Sequence, residues 1–309
     1  MLSVATLRGM WAGLPVAWTE DDRFDEPRYR RNVRRTCQAG AHGAYTHGST
    51  GEFYAQTFEE WLAVARATLE EAHACGVPVQ IGVTDLATRQ VIRKMESAAQ
   101  LGADAVQTAL PFWMPLSQAE AVGFFADLAR AVPGMPIVLY ATGRAKTPIT
   151  PELLRRALDA GVPLIGCKYT GPVADIPALV RACPEISFLV GEADLATGMA
   201  AGARGSCSAY IYVCPQYMLR YYALCEAGAW EAARAIEEHI KAWHAGPCQH
   251  LFAKGMQDSA LDRTFAHAAG FIEIELRCRP PYVSASQEDL EQYIRLCREG
   301  FSEFLYDTE

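Results

Sequence analysis

No run in this 309-residue sequence approaches the roughly 20 consecutive apolar residues of a membrane-spanning helix, so no membrane partner is expected. The N terminus, MLSVATLRGMWAGLPVAW, has neither the basic start nor the long apolar core and small-residue cleavage site of a secretory signal. The expected location is therefore the cytoplasm. No basic stripe stands out either. The 28 Lys and Arg are outnumbered by 36 Asp and Glu, and a net charge of -8 argues against a nucleic-acid partner. The ten cysteines include no CxxC pair and no cysteine-histidine cluster, which argues against a zinc site or a disulfide framework and leaves reduced, mostly buried thiols. No segment is low in complexity. With 50% hydrophobic and 21% charged residues, the chain is long and apolar enough to bury a large core.

What is present is a recurring alternation. β-rich runs occur at AGLPVAWT from residue 12, GAYTH from 43, VPVQIGV from 77, ADAVQTALP from 103, MPIVLYA from 135, VPLIGCKYT from 162, EISFLVG from 185 and GSCSAYIYV from 205. Segments with helical periodicity and helix-start signals separate them. Thr57 with Glu60 and Ser117 with Glu120 have capping-box spacing. Thr150 precedes Pro151 at a first helical position, and Gly76, Gly134 and Gly161 mark exits. Eight apolar strands alternating with amphipathic helices demand a parallel sheet covered by helices, and eight units close into an α/β (β/α)8 TIM barrel. The competing open, doubly wound sheet needs a phosphate fingerprint after its first strand, and neither GxGxxG nor a Walker loop is present. Beyond about residue 213 the pattern is helical. The expected organisation is a barrel over 1–228 and a helical extension over 229–309, packed on the barrel and including helices at roughly 258–270 and from 286 onward.

In such a barrel, chemistry is built at the C-terminal ends of the strands. The second run ends in THGSTGEF, where Gly48, Ser49, Thr50 and neighbouring N–H groups can hold a carboxylate. The fifth ends in Tyr140 within VLYATGRAK, the sixth in Lys168 within GVPLIGCKYTGPVAD, and the seventh in VGEAD with Glu192. An amine at the end of an apolar run suits an imine-forming enzyme, because the neutral amine attacks a ketone and desolvation favours that form. The bland reading is a lysine snorkelling or ion-paired at the rim. Tyr140 suits a proton relay beside the imine.

Together, Gly48-Ser49-Thr50-Gly51-Glu52, Tyr140, Lys168 after LIGC, and CRPPY at 278–282 resemble the dihydrodipicolinate synthase and N-acetylneuraminate lyase family over nearly the whole chain. The resemblance implies a barrel with a helical C-terminal extension and, usually, a homotetramer assembled from dimers. It implies further that Lys168 is the Schiff-base lysine, that Ser49 and Thr50 bind a keto-acid carboxylate, and that Tyr140 is the relay phenol. No cofactor and no metal are expected.

Departures from the family pattern point to a branch. The synthases' paired tyrosines after the fourth strand are replaced by Pro111-Phe112-Trp113-Met114-Pro115. Their YN segment after the fifth strand is Tyr140-Ala141-Thr142-Gly143-Arg144, and the acid that often follows the lysine is Tyr169. The chain looks closer to the hydratase-aldolases of arylidene pyruvates, although Thr142 stands where that branch has asparagine. Trp113 would then offer a flat apolar face to an aromatic tail, or pack a subunit interface. Arg144 would clamp a second carboxylate or be a solvated loop charge. Glu192 would bind substrate hydroxyls or satisfy a helix dipole. His47 reads as structural or interfacial, and Tyr210 and Tyr212 as closing the eighth strand. The leading expectation is a class I lyase making or cleaving a C–C bond between pyruvate and an aldehyde. The alternatives are a 2-keto-3-deoxy sugar acid dehydratase using the same imine, and a non-catalytic keto-acid binder.

Overall fold

The computed structural model describes residues 1–305. Within them the chain runs β1 (Gly9–Gly13), α1 (Glu26–Gln38), β2 (Gly43–Thr46), α2 (Phe58–Ala74), β3 (Val79–Gly82), α3 (Thr88–Gln100), β4 (Ala105–Thr108) and α4 (Gln118–Ala131). It continues β5 (Ile137–Ala141), α5 (Pro151–Asp159), β6 (Leu164–Tyr169), α6 (Ile176–Ala182), β7 (Ser187–Val190), α7 (Leu195–Ala200), β8 (Gly205–Ser208) and α8 (Pro215–Glu226). Neighbouring strands pair in parallel, and β8 pairs back onto β1 to close the barrel. The expected α/β barrel is what the chain forms. No helix among the described residues is long and apolar enough to cross a membrane.

The helix starts follow the sequence signals. Thr57 accepts from Glu60 N at 3.2 Å while Glu60 accepts from Thr57 N at 3.0 Å, and Ser117 with Glu120 repeats the arrangement. Each such cap satisfies otherwise orphaned N–H groups and contributes about 1 kcal/mol.

Two strands differ from the pattern. The first run was expected from residue 12, but β1 occupies Gly9–Gly13. Leu14 makes a last bond to Tyr45 O, and Pro15, lacking an N–H, cannot continue the ladder. The eighth run was expected through 213, but β8 stops at Ser208 and residues Tyr210–Tyr212 form a 3-10 turn. Side chains capture the backbone donors there: Glu192 Oε1 accepts from Ala209 N and Tyr210 N, and Ser208 Oγ from Tyr210 N and Ile211 N.

One end of the barrel is plugged by Leu2, Leu7, Trp11, Ala105, Val138, Leu189 and Cys207. Trp11 fits because its neighbour on β2 is Gly43, where a Cβ would lie 2.3 Å from the indole. The ten thiols are free, and nine are buried.

After α8 the chain forms α9 (Trp230–Ala245), α10 (Gln249–Ala253), α11 (Asp258–Ala269) and α12 (Gln287–Arg298). The last four residues of the expected 229–309 extension lie outside the described residues. Trp243 stacks on Phe304 with centroids 4.1 Å apart, and Phe265 and Tyr293 pack around the same indole. The helices are tied to the barrel mouth by a fully buried pair, Arg263 on α11 with Glu52. Glu52 is completely engaged, accepting also from Trp18 Nε1 at 2.6 Å and Arg279 N at 2.7 Å. Arg279 in turn pairs with Glu60 and lies 3.8 Å from the Trp18 ring. Each of these buried charged groups faces an opposite charge, as burial of charge requires, while the Nε atoms of Arg263 and Arg279 are left without a hydrogen-bond partner.

Candidate active site

In the β5–β6 pairing, Tyr140 is directly opposite Lys168. Directly opposed residues of adjacent strands share a face of the sheet. Here that face is the barrel interior, since Val138 two residues before Tyr140 belongs to the interior plug. Both side chains therefore rise into the mouth. Lys168 Nζ lies 4.3 Å from the Tyr140 ring centroid and 5.5 Å from that of Tyr45 on β2.

The turn after β2 brings the remaining groups. Ser49 Oγ is 3.5 Å from Tyr140 Oη, and Thr50 Oγ1 donates to Asp262 Oδ2 on α11. Gly48 lets this turn pass directly over Tyr45, whose Oη would be 2.7 Å from any Cβ at that position.

The site has two chambers sharing a wall of Tyr45, Ser49, Tyr140 and Asp258. The inner one, about 880 Å³ of empty space, holds Lys168, Thr50, Glu192, Asp262, Thr170 and Ser208. The outer one, about 770 Å³, is faced by Phe53, Tyr54, Phe112 and Tyr282, with Gly48, Thr142, Arg144 and Ser259 among its polar and backbone contributions. The shared wall joins a polar chamber around the amine to a more aromatic one beside it.

The electrostatics correct one expectation. Apolar surroundings were expected to keep Lys168 neutral. Burial does act to lower its pKa, but Tyr140, Cys207, Tyr45 and Glu192 act against it, and the balance lies above the ordinary lysine value. The Tyr45 phenol is held up by burial, and the Cys207 thiol is pushed up to about 11 by the same cause, so neither is charged near neutral pH. Glu192 also faces the amine, its own pKa raised by burial against the backbone N–H groups of Ala209 and Tyr210. Asp262 is pushed up to about 8, by burial first and by Asp258 and Glu192 in addition.

The other residues singled out in the sequence fall in varied places. Glu192 lines the inner chamber, but Ser208 Oγ and two backbone N–H groups occupy one of its oxygens. Arg144 lines the outer chamber and is 54% exposed, and its Nη2 donates to Asp258 at 2.9 Å, so it is a loop charge already paired and not a free clamp. Thr142 accepts from Arg144 N. Trp113 does not line the site: it is 74% exposed, with Lys146 above its ring, and Phe112 supplies the aromatic face instead. Tyr169, next to Lys168, points to the opposite face of β6 by strand alternation and donates to Asp175. It therefore says nothing about substrate polarity. His47 is buried against Trp61 with its pKa lowered to about 3 by burial, and it borders the outer chamber. Tyr210 reaches the inner chamber and pairs with His244.

Asp258, Ser259 and Asp262 escaped the sequence reading because they sit on a helix about 90 residues beyond the lysine. Their sole linear signal was a helix start near 258.

The arrangement offers an amine, a phenol and a hydroxyl-rich turn within one cavity, a set suited to imine chemistry on a small carboxylate. The profile of the dihydrodipicolinate synthetase family matches residues 6–299. A DapA-like lyase of Halobacterium salinarum, itself uncharacterized, is 32% identical over 238 residues, covering 76% of this chain and 77% of its own. A trans-o-hydroxybenzylidenepyruvate hydratase-aldolase of Pseudomonas aeruginosa is 26% identical over 301 residues, covering 91% and 88%. Among solved structures, the dihydrodipicolinate synthase of Aquifex aeolicus superposes with a TM-score of 0.86 at 21% identity, covering 97% of this chain and 100% of that one.

Proposed function

Because this chain belongs to the dihydrodipicolinate synthetase family, we propose that it is a class I lyase joining or cleaving pyruvate and an aldehyde through an imine on Lys168. The observation that carries this reading is the convergence of Lys168, Tyr140 and Ser49 at the mouth of one barrel. Ser49, Thr50 and the backbone of the Gly48 turn hold the keto-acid carboxylate. Substrate binding expels water, strengthening the burial effect that favours the neutral amine. The amine attacks the keto carbon, water leaves, and the iminium becomes an electron sink. In the cleavage direction the C4 hydroxyl gives up its proton through the Tyr140 phenol, the C3–C4 pair flows into the iminium, and an aldehyde and a pyruvate enamine result. Sodium borohydride with pyruvate should leave a reduced pyruvyl adduct on Lys168 by peptide mass spectrometry. Absence of that adduct would sink the reading.

The outer chamber supports an aldehyde with an aromatic or hydrophobic tail. Phe53, Tyr54, Phe112 and Tyr282 offer ring faces and edges, whereas a polyhydroxylated sugar-acid tail would leave hydroxyls against carbon. That weighs toward the aldolase over the dehydratase. Asp258 neutralises Arg144, so neutral aldehydes are favoured. In Asp258→Asn, the preference for 4-carboxybenzaldehyde over benzaldehyde in kcat/KM should rise about tenfold as Arg144 becomes available to a carboxylate. An unchanged ratio would remove Arg144 from substrate selection.

Tyr140→Phe should retain pyruvate binding while kcat falls about 10²- to 10⁴-fold, the usual range for a lost general acid-base group. Steady-state kinetics check this, and an unchanged kcat would exclude the relay.

The finer expectations belong to the same reading. Ten free thiols suit a reducing cytoplasm, and the exposed Trp113–Met114 edge suits burial against another copy in a homotetramer. The helical region from residue 229 serves the site directly, through Asp258, Ser259 and Asp262.

A further inference from the structure

Asp262 is a carboxyl that the chemistry above leaves unused. It projects from α11, is 9% exposed, and lines the inner chamber with Lys168 and Glu192. Thr50 donates its hydroxyl hydrogen to Asp262 Oδ2. A threonine hydroxyl has one hydrogen and otherwise lone pairs. While that hydrogen is committed to an ionised Asp262, Thr50 turns lone pairs toward an incoming keto-acid carboxylate. Two ionised carboxylates meeting at one hydroxyl also repel, as in any pair of acids sharing a site.

We propose that Asp262 is a positioning residue that admits the keto acid in its protonated form, donating to Thr50 Oγ1 and so turning the Thr50 hydrogen toward the substrate carboxylate. This rests on the reading that Ser49 and Thr50 hold that carboxylate. The proton stays on Asp262, and the Thr50 hydrogen moves by rotation about the C–O bond, with no bond broken. Above the Asp262 pKa, keto-acid binding takes up one proton from solvent.

The surroundings of Asp262 favour the acid form. Asp258 precedes it by one turn on α11, Glu192 faces it from the turn after β7, and Tyr210 and Tyr212 approach from the turn after β8. Phe252, Leu261 and Phe265 complete the lining without charge. Lys168 on β6 and the Thr50 hydrogen bond oppose protonation, while burial and the two carboxyls outweigh them. Arg263, the next residue, gives no help to the ionised form, since its guanidinium is directed at Glu52 and Val16 O. A carboxyl in this setting changes state within the range where enzymes are assayed, so its role is open to measurement.

The test is KM for pyruvate from pH 6 to 9.5, together with half-saturation of the borohydride adduct, in the wild type, Asp262→Asn and Asp262→Ala. In the wild type, KM should rise about tenfold between pH 7 and pH 9 as a group titrating near 8 is lost. Asp262→Asn carries an amide donor at every pH, so its KM should stay low and flat. Asp262→Ala should show a raised KM throughout. A flat wild-type profile, or a rise in Asp262→Asn that tracks the wild type, would overturn the proposal while leaving the lyase reading intact. Failure of the wild type to form any pyruvate adduct at any pH would overturn both.

Discussion

Lys168→Ala should reduce lyase turnover on the order of 10⁴-fold or more, the scale at which loss of a covalent nucleophile is felt, and should leave no pyruvyl adduct after borohydride treatment. Lys168→Arg separates chemistry from charge. It keeps a cation beside Tyr140 and Glu192, yet a guanidinium does not deprotonate and cannot form the imine, so it should be equally inactive. A Lys168→Ala protein that still turned over pyruvate and an aldehyde, or that carried the adduct on another lysine, would refute the assignment.

The second large effect concerns stability. Arg263→Met should lower unfolding stability by about 3–5 kcal/mol, the cost of leaving a buried carboxylate without its counter-ion. Glu52 and Arg263 are both completely buried, and Arg263 Nη2 also donates to Val16 O at 2.6 Å. Denaturant unfolding followed by tryptophan fluorescence reads the change directly, Trp18 being a hydrogen-bond partner of Glu52. Glu52 closes the GSTGE turn, so pyruvate affinity should weaken as well. A midpoint within experimental error of the wild type would show that the pair contributes nothing net. The double variant Glu52→Gln/Arg263→Met should recover part of the loss, since a neutral amide costs less to bury than an unpaired carboxylate.

Much of the barrel and of the candidate site was legible in the linear sequence. Lys168 and Tyr140 each end an apolar run, and a buried parallel strand presents its last inward side chain to the mouth. Ser49 and Thr50 follow a short apolar strand within a glycine-bounded turn, which is a local signature. The helix caps at Thr57, Ser117 and Thr150 were equally local, and they form as their spacing implies.

Other features could not be read this way. Phe112 rather than Trp113 faces the chamber, because the direction of a loop side chain has no period to reveal it. Tyr169 looked informative by adjacency to Lys168, but alternation along β6 sends it to the opposite face. The charge state of Lys168 was misjudged from its apolar neighbours in sequence. Tyr140, Cys207, Tyr45 and, least of them, Glu192 act against burial there, and they come from four different strands or strand ends.

The sequence by itself therefore determined the architecture and the strand-end positions of Lys168, Tyr140 and the GSTGE turn, since each depends on periodicity or contiguous spacing. Only the tertiary structure decided how those groups are tuned. It brought α11 back over the barrel mouth, seated Asp262 on Thr50 and Asp258 on Arg144, and buried Arg263 against Glu52. Those contacts span more than 100 residues of chain. They are set by how a terminal helix packs on the barrel, a matter of long-range packing that local pattern does not encode.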